Sequence, residues 1–282
     1  MRLPDFLIIG AQKAGTTWLK EQLRQNPRIF MPKREVHYFD QNPRFERGSE
    51  WYASHFEDAD GAVTVGEKTP EYLYLSQRPD IPEGIARIST LLPEARLIVI
   101  LRDPVRRALS ALNHLINKGH VSPLHSADSL LLGRRKRLLP WPVMEMGIYH
   151  RQVGPVFDAF GRESVLTLFY EDELVGKARE TVAQVCRFLG VPEWSTPGMI
   201  DRRPNRPRRS RLDLAVRYHA PWLSPLVDRH AWRFRDYYPT LSDAGMRELY
   251  AYYAPHNEEL FQMLGRRPRS GWRYGAREDA AG

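Results

Sequence analysis

The stretch FLIIGAQKAGTTWLKEQL, residues 6–23, decides the fold. Its opening run Phe6-Leu7-Ile8-Ile9 is apolar, short and rich in β-branched residues, which predicts a buried strand. Gly10 and Gly15 bracket a tight turn. From Thr16 the period changes: Trp18, Leu19 and Leu23, with polar residues between them, predict an amphipathic helix. A strand, a glycine turn and a helix start together aim backbone N–H groups and a positive helix end at a phosphate.

The spacing of Gly10 and Gly15 matches the phosphate-binding frame G-x-x-x-x-G-K-[ST], with one displacement. Thr16 occupies the place of the usual lysine, and the cation sits inside the loop as Lys13. The lysine of that frame reaches β and γ phosphates, and the hydroxyl after it holds Mg²⁺. An inward cation suits a single phosphate whose next group is the one transferred. The adjacent hydroxyls of Thr16 and Thr17 can donate to its oxygens. The bland alternative is an ordinary glycine-rich turn before a helix; it leaves the agreement of strand, loop and helix unexplained.

Downstream lies a second strand-to-helix stretch, LIVILRDPVRRALSAL (97–112). Ala95 to Leu101 predicts a second buried parallel strand. Asp103 is a candidate N-cap with Pro104 in the first helical position, and Ser110 falls about two turns in. Between the two motifs, Glu35-Val36-His37-Tyr38-Phe39-Asp40 predicts an extended chain with a carboxylate and an imidazole on one side, a base with an orienting partner. A surface loop with ordinary charges is the other reading. Ala62 to Gly66 predicts a strand followed by Glu67-Lys68-Thr69-Pro70. Pro70 keeps its predecessor out of the helical region, so Lys68 falls at a strand end, a usual ligand position in an open α/β sheet.

These motifs resemble the sulfotransferases that use 3′-phosphoadenosine 5′-phosphosulfate (PAPS). QKAGTTWL is similar to their 5′-phosphosulfate loop, and the two motifs stand at the family's separation. The resemblance implies that Lys13, Ala14, Gly15, Thr16, Thr17 and Trp18 bind the donor, and that Arg102 and Ser110 bind its 3′-phosphate. Without it, Arg102 reads as a strand-end salt bridge to Asp103 or as part of a helix. EVHYFD resembles a segment of the heparan sulfate type whose glutamate is the proposed base. That makes Glu35 the base, His37 its neighbour and Asp40 a supporting carboxylate. Lys-Thr-Pro at 68–70 resembles that type's segment with a catalytic lysine, and the histidine of the aryl and steroid enzymes is missing here. Weaker likeness extends to Glu171–Leu174, to FLG near residue 189 and to PHNEELFQMLG near the C-terminus, so it covers most of the chain. It implies an α/β fold with a central parallel sheet flanked by helices, PAPS as donor and PAP as product, and no required metal.

Composition sets wider bounds. A 282-residue chain with 42% hydrophobic residues can bury a real core, in one large or two smaller domains. With no repeat and no convincing linker, a single domain over 1–282 is expected. The net charge of +8 leaves nucleic acid, an anionic membrane or an anionic small ligand as partners. The positives are scattered, with a cluster only near 202–211, and the PAPS that the resemblance implies carries several negative charges, which together favour the small anion; no nucleic acid or membrane partner is expected. Cys186 is the single cysteine, so no internal disulfide and no zinc set exist, and it reads as a buried helix residue. No signal peptide or membrane-length apolar run is evident, and a cytoplasmic location is expected, unlike the Golgi-anchored animal members.

The remaining stretches say less. Trp51, Tyr52 and Phe56 read as core residues of a helix; further helices are predicted over 82–92, 147–160, 173–189 and 243–264, and a strand over 164–170. Residues 119–145 have a weak pattern and read as a mobile, acceptor-facing loop; the basic run Arg134 to Arg137 reads equally as a solvated face or a grip on an acidic acceptor. RRPNRPRRSR within 201–211 is a Pro-rich basic loop, a second mobile segment. Arg206, Arg208 and Arg209 are candidates for closing on the 3′-phosphate, and a basic linker is the even alternative. Three functions compete: a PAPS sulfotransferase acting on a hydroxyl of a sugar, natural product or carrier-bound acyl chain; a P-loop kinase or NTPase; and a non-catalytic nucleotide-binding protein. The missing lysine before Thr17 and the lack of an evident Mg²⁺ carboxylate weigh against the second.

Overall fold

The apolar run at residues 6–9 opens β1 (Phe6–Gly10), buried along its whole length. It is the central strand of a five-stranded sheet ordered β2-β3-β1-β4-β5. The others are β2 (Ile29–Phe30), β3 (Thr64–Lys68), β4 (Arg96–Leu101) and β5 (Val165–Phe169). Every pairing is parallel. Strands paired on both edges and covered on both faces read as continuous apolar runs, which is why β1 and β4 were plain in the sequence. The molecule is described from a computed structural model covering residues 2–59, 63–81, 83–133, 138–194, 209–223 and 236–276.

Helices flank the sheet. They are α1 (Thr16–Leu23), α2 (Asn42–Phe45), α3 (Gly48–Ala53), α4 (Gly84–Leu91), α5 (Pro104–Asn117), α6 (Ala127–Leu131), α7 (His150–Phe160), α8 (Ala178–Leu189), α9 (Arg211–His219) and α10 (Asp243–Leu264). The Asp103 carboxylate accepts from the amides of Val105 and Arg106, with Pro104 in the first turn, so the predicted cap of α5 is present. One apolar cluster surrounds the sheet and contains Tyr52, Phe56 and Cys186. A second joins Val105, Leu112 and Leu115 of α5 to Leu130, Leu131, Val143 and Leu214. α10 serves both: Leu249 and Tyr253 enter the second cluster, Leu260 and Phe261 the first.

Several boundaries differ from expectation. β3 starts at Thr64 and runs to Lys68, so the lysine itself closes the strand. α4 starts at Gly84 and α7 at His150, later than the patterns suggest. β2, two residues long, is too short to show a period. The segment Glu35–Asp40 is not extended: His37 has φ +54°, a left-handed residue that bends the chain. Within 119–145, the weak pattern hides α6 and the buried Val121, Leu130, Leu131, Val143 and Met144. Arg134 to Arg137 lie outside the described residues.

Candidate active site

Gly10, Lys68 and Leu101 end three neighbouring parallel strands, so the chain leaves β1, β3 and β4 at one edge of the sheet. That edge is where open α/β sheets bind ligands. The turn between β1 and α1 uses left-handed residues at Lys13 (φ 69°) and Gly15 (φ 93°). Gly15 is the N-cap of α1, and no side chain caps that helix. A Cβ at Gly15 would stand 3.0 Å from both Leu174 and Tyr170, so the loop sits tightly on the turn that follows β5. Thr16 is buried, Thr17 exposed and Lys13 half-buried, while Trp18 leans on the main core.

Lys68 joins the loop to the Glu35 segment. Its Nζ donates to Thr17 Oγ1 at 3.1 Å and to the Glu35 carboxylate. His37 bridges two carboxylates, with Nε2 3.1 Å from Glu35 Oε2 and Nδ1 2.8 Å from Asp40 Oδ2. The left-handed bend at His37 is what turns the ring between residues on either side of it. Burial alone would raise the Glu35 carboxyl, but the bonds from His37 and Lys68 outweigh it and hold it at about 2. Burial would likewise lower His37, yet Asp40 and Glu35 bring it to about 10. At neutral pH Glu35 is therefore a carboxylate and His37 an imidazolium.

A buried carboxyl holds this segment in place. Glu67, 1% exposed, accepts from Thr69 Oγ1 and Tyr72 Oη at 2.8 Å each, and from Tyr52 Oη. Tyr72 Oη in turn accepts from the Tyr38 amide at 2.9 Å. Burial pushes Glu67 up, while these three hydroxyls pull the other way. The sequence reading missed Glu67 and Tyr72; a carboxylate inside a buried strand was the available signal. It also missed Glu71, whose Oε1 accepts from Gln12 Nε2 at 3.1 Å.

Arg102 follows β4 directly. Its Nη1 donates to the Lys13 carbonyl at 3.0 Å, and the guanidinium lies 4.8 Å from the Tyr170 ring. The pairing with Asp103 is not formed: that carboxylate caps α5 and accepts from Tyr250 at 2.7 Å. Arg102 Nε and Ser110 Oγ are buried without a hydrogen-bond partner among the described residues. Two orphaned donors two helical turns apart beside a loop of uncapped amides fit a ligand with two anionic groups. Arg209 is not brought to them. It contacts the Asn117 carbonyl at 3.5 Å and Asp213 at 3.8 Å, at the far end of α5, about 10 Å along the helix from Ser110 and about 20 Å from Arg102. Arg206 and Arg208 lie outside the described residues. Among the described residues, two groups place potential metal-ligand atoms within 4.8 Å of one another: Glu35, His37 and Glu71, and His150, His256 and Glu259.

Residues 3–202 match the family described as the sulfotransferase domain. The chain belongs to that family. Among its relatives, mouse heparan sulfate glucosamine 3-O-sulfotransferase 3A1 is 29% identical over 271 residues, 94% of this chain and 64% of that protein. Human heparan sulfate glucosamine 3-O-sulfotransferase 6 is 28% identical over 274 residues, 94% of this chain and 72% of that protein. The chain thus spans about two thirds of the length of these relatives. The crystal structure of a sulfotransferase from Alicyclobacillus acidocaldarius superposes with a TM-score of 0.69 at 24% identity, covering 96% of this chain and 99% of that one. A sulfotransferase domain from the curacin biosynthetic pathway does so at 0.54 and 16% identity, covering 94% and 99%. The sulfotransferase fold, a parallel sheet flanked by helices, is therefore shared along nearly the whole chain.

Proposed function

We propose that this chain is a PAPS-dependent sulfotransferase that moves a sulfuryl group onto an acceptor hydroxyl, with Glu35 as the base. The observation that carries the reading is Lys68: one buried ammonium, at the end of β3, bonded both to the candidate base and to a hydroxyl of the donor loop. PAPS, when bound, supplies an activated sulfuryl group on a phosphate leaving group. The uncapped amides of α1, with Thr16 and Thr17, hold that phosphate, and Trp18 and Ala14 shape the loop around it. Arg102 and Ser110 take the 3′-phosphate. Lys13 stabilises negative charge at the leaving phosphate. We leave Arg209 out of this set, because Asp213 and Asn117 already engage it.

Sulfuryl transfer has a loose transition state, so position and charge carry the catalysis. While Lys68 and His37 both hold it, Glu35 takes a proton poorly. When Lys68 engages the donor, Glu35 loses one of these partners and its proton affinity rises. Basicity then appears only with the donor in place. His37, fixed by Asp40, keeps the carboxylate aimed.

The acceptor classes are a sugar, a natural-product hydroxyl or a carrier-bound hydroxyacyl chain; the named relatives include heparan sulfate glucosamine enzymes and a biosynthetic-pathway domain. We read the chain as one domain, since α10 enters both clusters. Among the described residues no helix is long and apolar enough to cross a membrane. The cytoplasm is our proposed location, which suits the one buried, unpaired cysteine. The test is transfer from labelled PAPS to metabolite extracts. A labelled product that forms with wild type and is lost with Lys68→Ala supports the reading; no product from any extract, with PAPS intact, refutes it.

A further inference from the structure

Glu71 lies beside the base but has no part in the chemistry above. Its Oε1 is tied to Gln12 of the donor loop at 3.1 Å, which fixes the carboxyl relative to the donor. Its Oε2 is buried with no hydrogen-bond partner among the described residues. The carboxyl is within 4.8 Å of acceptor or donor atoms of both Glu35 and His37. A metal ion is a poor occupant of this group. Both ring nitrogens of His37 are spent on Glu35 and Asp40, and Glu35 is spent on His37 and Lys68. A buried carboxyl oxygen with a free lone pair asks instead for a hydrogen-bond donor. Burial and the neighbouring Glu35 charge both push the Glu71 carboxyl up, as expected where that donor is missing.

An acceptor hydroxyl bonded to Glu35 has a neighbour at a predictable place. In a vicinal diol or 2-amino alcohol the second heteroatom stands about 3 Å from the first, comparable with a hydrogen-bond length. Glu71, with a carboxyl oxygen within 4.8 Å of Glu35, lies within reach of that second heteroatom. We infer that Glu71 reads the acceptor, its Oε2 accepting a hydrogen bond from a hydroxyl or ammonium on the carbon next to the reacting one. The substrate class is then vicinal diols and 2-amino alcohols, sugars included, in preference to isolated alcohols. The inference rests on the reading of Glu35 as base in a sulfotransferase.

The test compares trans-1,2-cyclohexanediol and trans-2-aminocyclohexanol with cyclohexanol, following PAP release from PAPS by the full chain. Wild type should favour the two-donor acceptors by about ten-fold or more in kcat/KM, because a site built to bond a substrate group rejects the analogue lacking it. Glu71→Leu should bring that ratio close to one while PAP still raises its melting temperature as in wild type. Glu71→Gln, which keeps the shape and an acceptor oxygen but not the charge, should retain the diol preference and lose that for the amino alcohol. A wild type without preference, or a Glu71→Leu that keeps it, overturns the inference. So does a Glu71→Leu that loses PAP stabilisation together with turnover of all three acceptors, since Glu71 is then structural. Wild-type stabilisation by PAP is read separately: its absence refutes the sulfotransferase reading itself, whereas its presence beside equal use of the three acceptors refutes only the role of Glu71.

Discussion

Lys68 and His37 hold Glu35 far below the usual carboxylate range, and this fixes how the residue should respond to change. Glu35→Gln should bind PAP like wild type and lose single-turnover transfer by about 10²–10⁴-fold, the usual contribution of a positioned base. His37→Ala should lose less, since it orients rather than accepts. Near-normal transfer by Glu35→Gln would remove Glu35 from the mechanism. The same residue sets a pH signature of stability. Its folded pKa is about 2 against 4.5 for the unfolded chain, so its contribution is fully present above 4.5 and is lost as pH falls toward 2. His37 runs the other way: raised to about 10 from 6.5, it stabilises fully below 6.5 and loses that as pH rises through 10. Denaturant titrations across pH should show the gap between wild type and Glu35→Gln closing in acid, and that for His37→Gln closing in alkali. At the other phosphate, Arg102→Ala should weaken PAP far more than adenosine 5′-phosphosulfate, because only the former loses a charge-assisted contact; equal weakening would make Arg102 structural.

At the scale of elements, the turn before α1 and the Glu35–Asp40 segment are each held by a neighbour that carries no chemistry. Gly15 has φ 93° and little room for a Cβ beside Tyr170 and Leu174. Gly15→Ala should therefore lower both the melting temperature and PAP affinity, whereas an effect on stability alone would show that the loop's shape is not the donor site. Tyr72→Phe removes a hydroxyl that donates to Glu67 and accepts from the Tyr38 amide. It should cost about 1–3 kcal/mol, measured by denaturant unfolding, because a buried carboxyl and a buried amide lose a partner together. These supports explain what the sequence could and could not disclose. β1, β4 and the cap at Asp103 were legible because burial on both faces and N-cap chemistry leave local marks. The pairing of Glu35 with Lys68 was not, since it spans 33 positions and depends on the bend at His37. Nor was the packing of 119–145, where α6 is only one turn long and its burial comes from α5, α9 and α10.

For the molecule as a whole, the donor site draws on β1, β3, β4 and the turn after β5, so a ligand there ties together the centre of the sheet. PAP or PAPS at a hundred times its Kd should stabilise the fold by about 2.7 kcal/mol, while ATP with Mg²⁺ does little. Equal stabilisation by ATP and Mg²⁺, with none from PAP, would favour a kinase or NTPase instead. The position of β1 also bears on how the protein is made. Of the five strands of the sheet it is the first to be synthesised, yet both of its edges await partners made later, β3 ending at Lys68 and β4 at Leu101. At about 5–20 residues per second, Leu7, Ile8 and Ile9 stay unsheltered for on the order of ten seconds. A nascent chain whose emerged part ends between Lys68 and Arg96 has β1 paired on one side and bare on the other, a sticky apolar edge. Yield in a cell should then follow chaperone supply and elongation rate more closely than the stability of the finished fold.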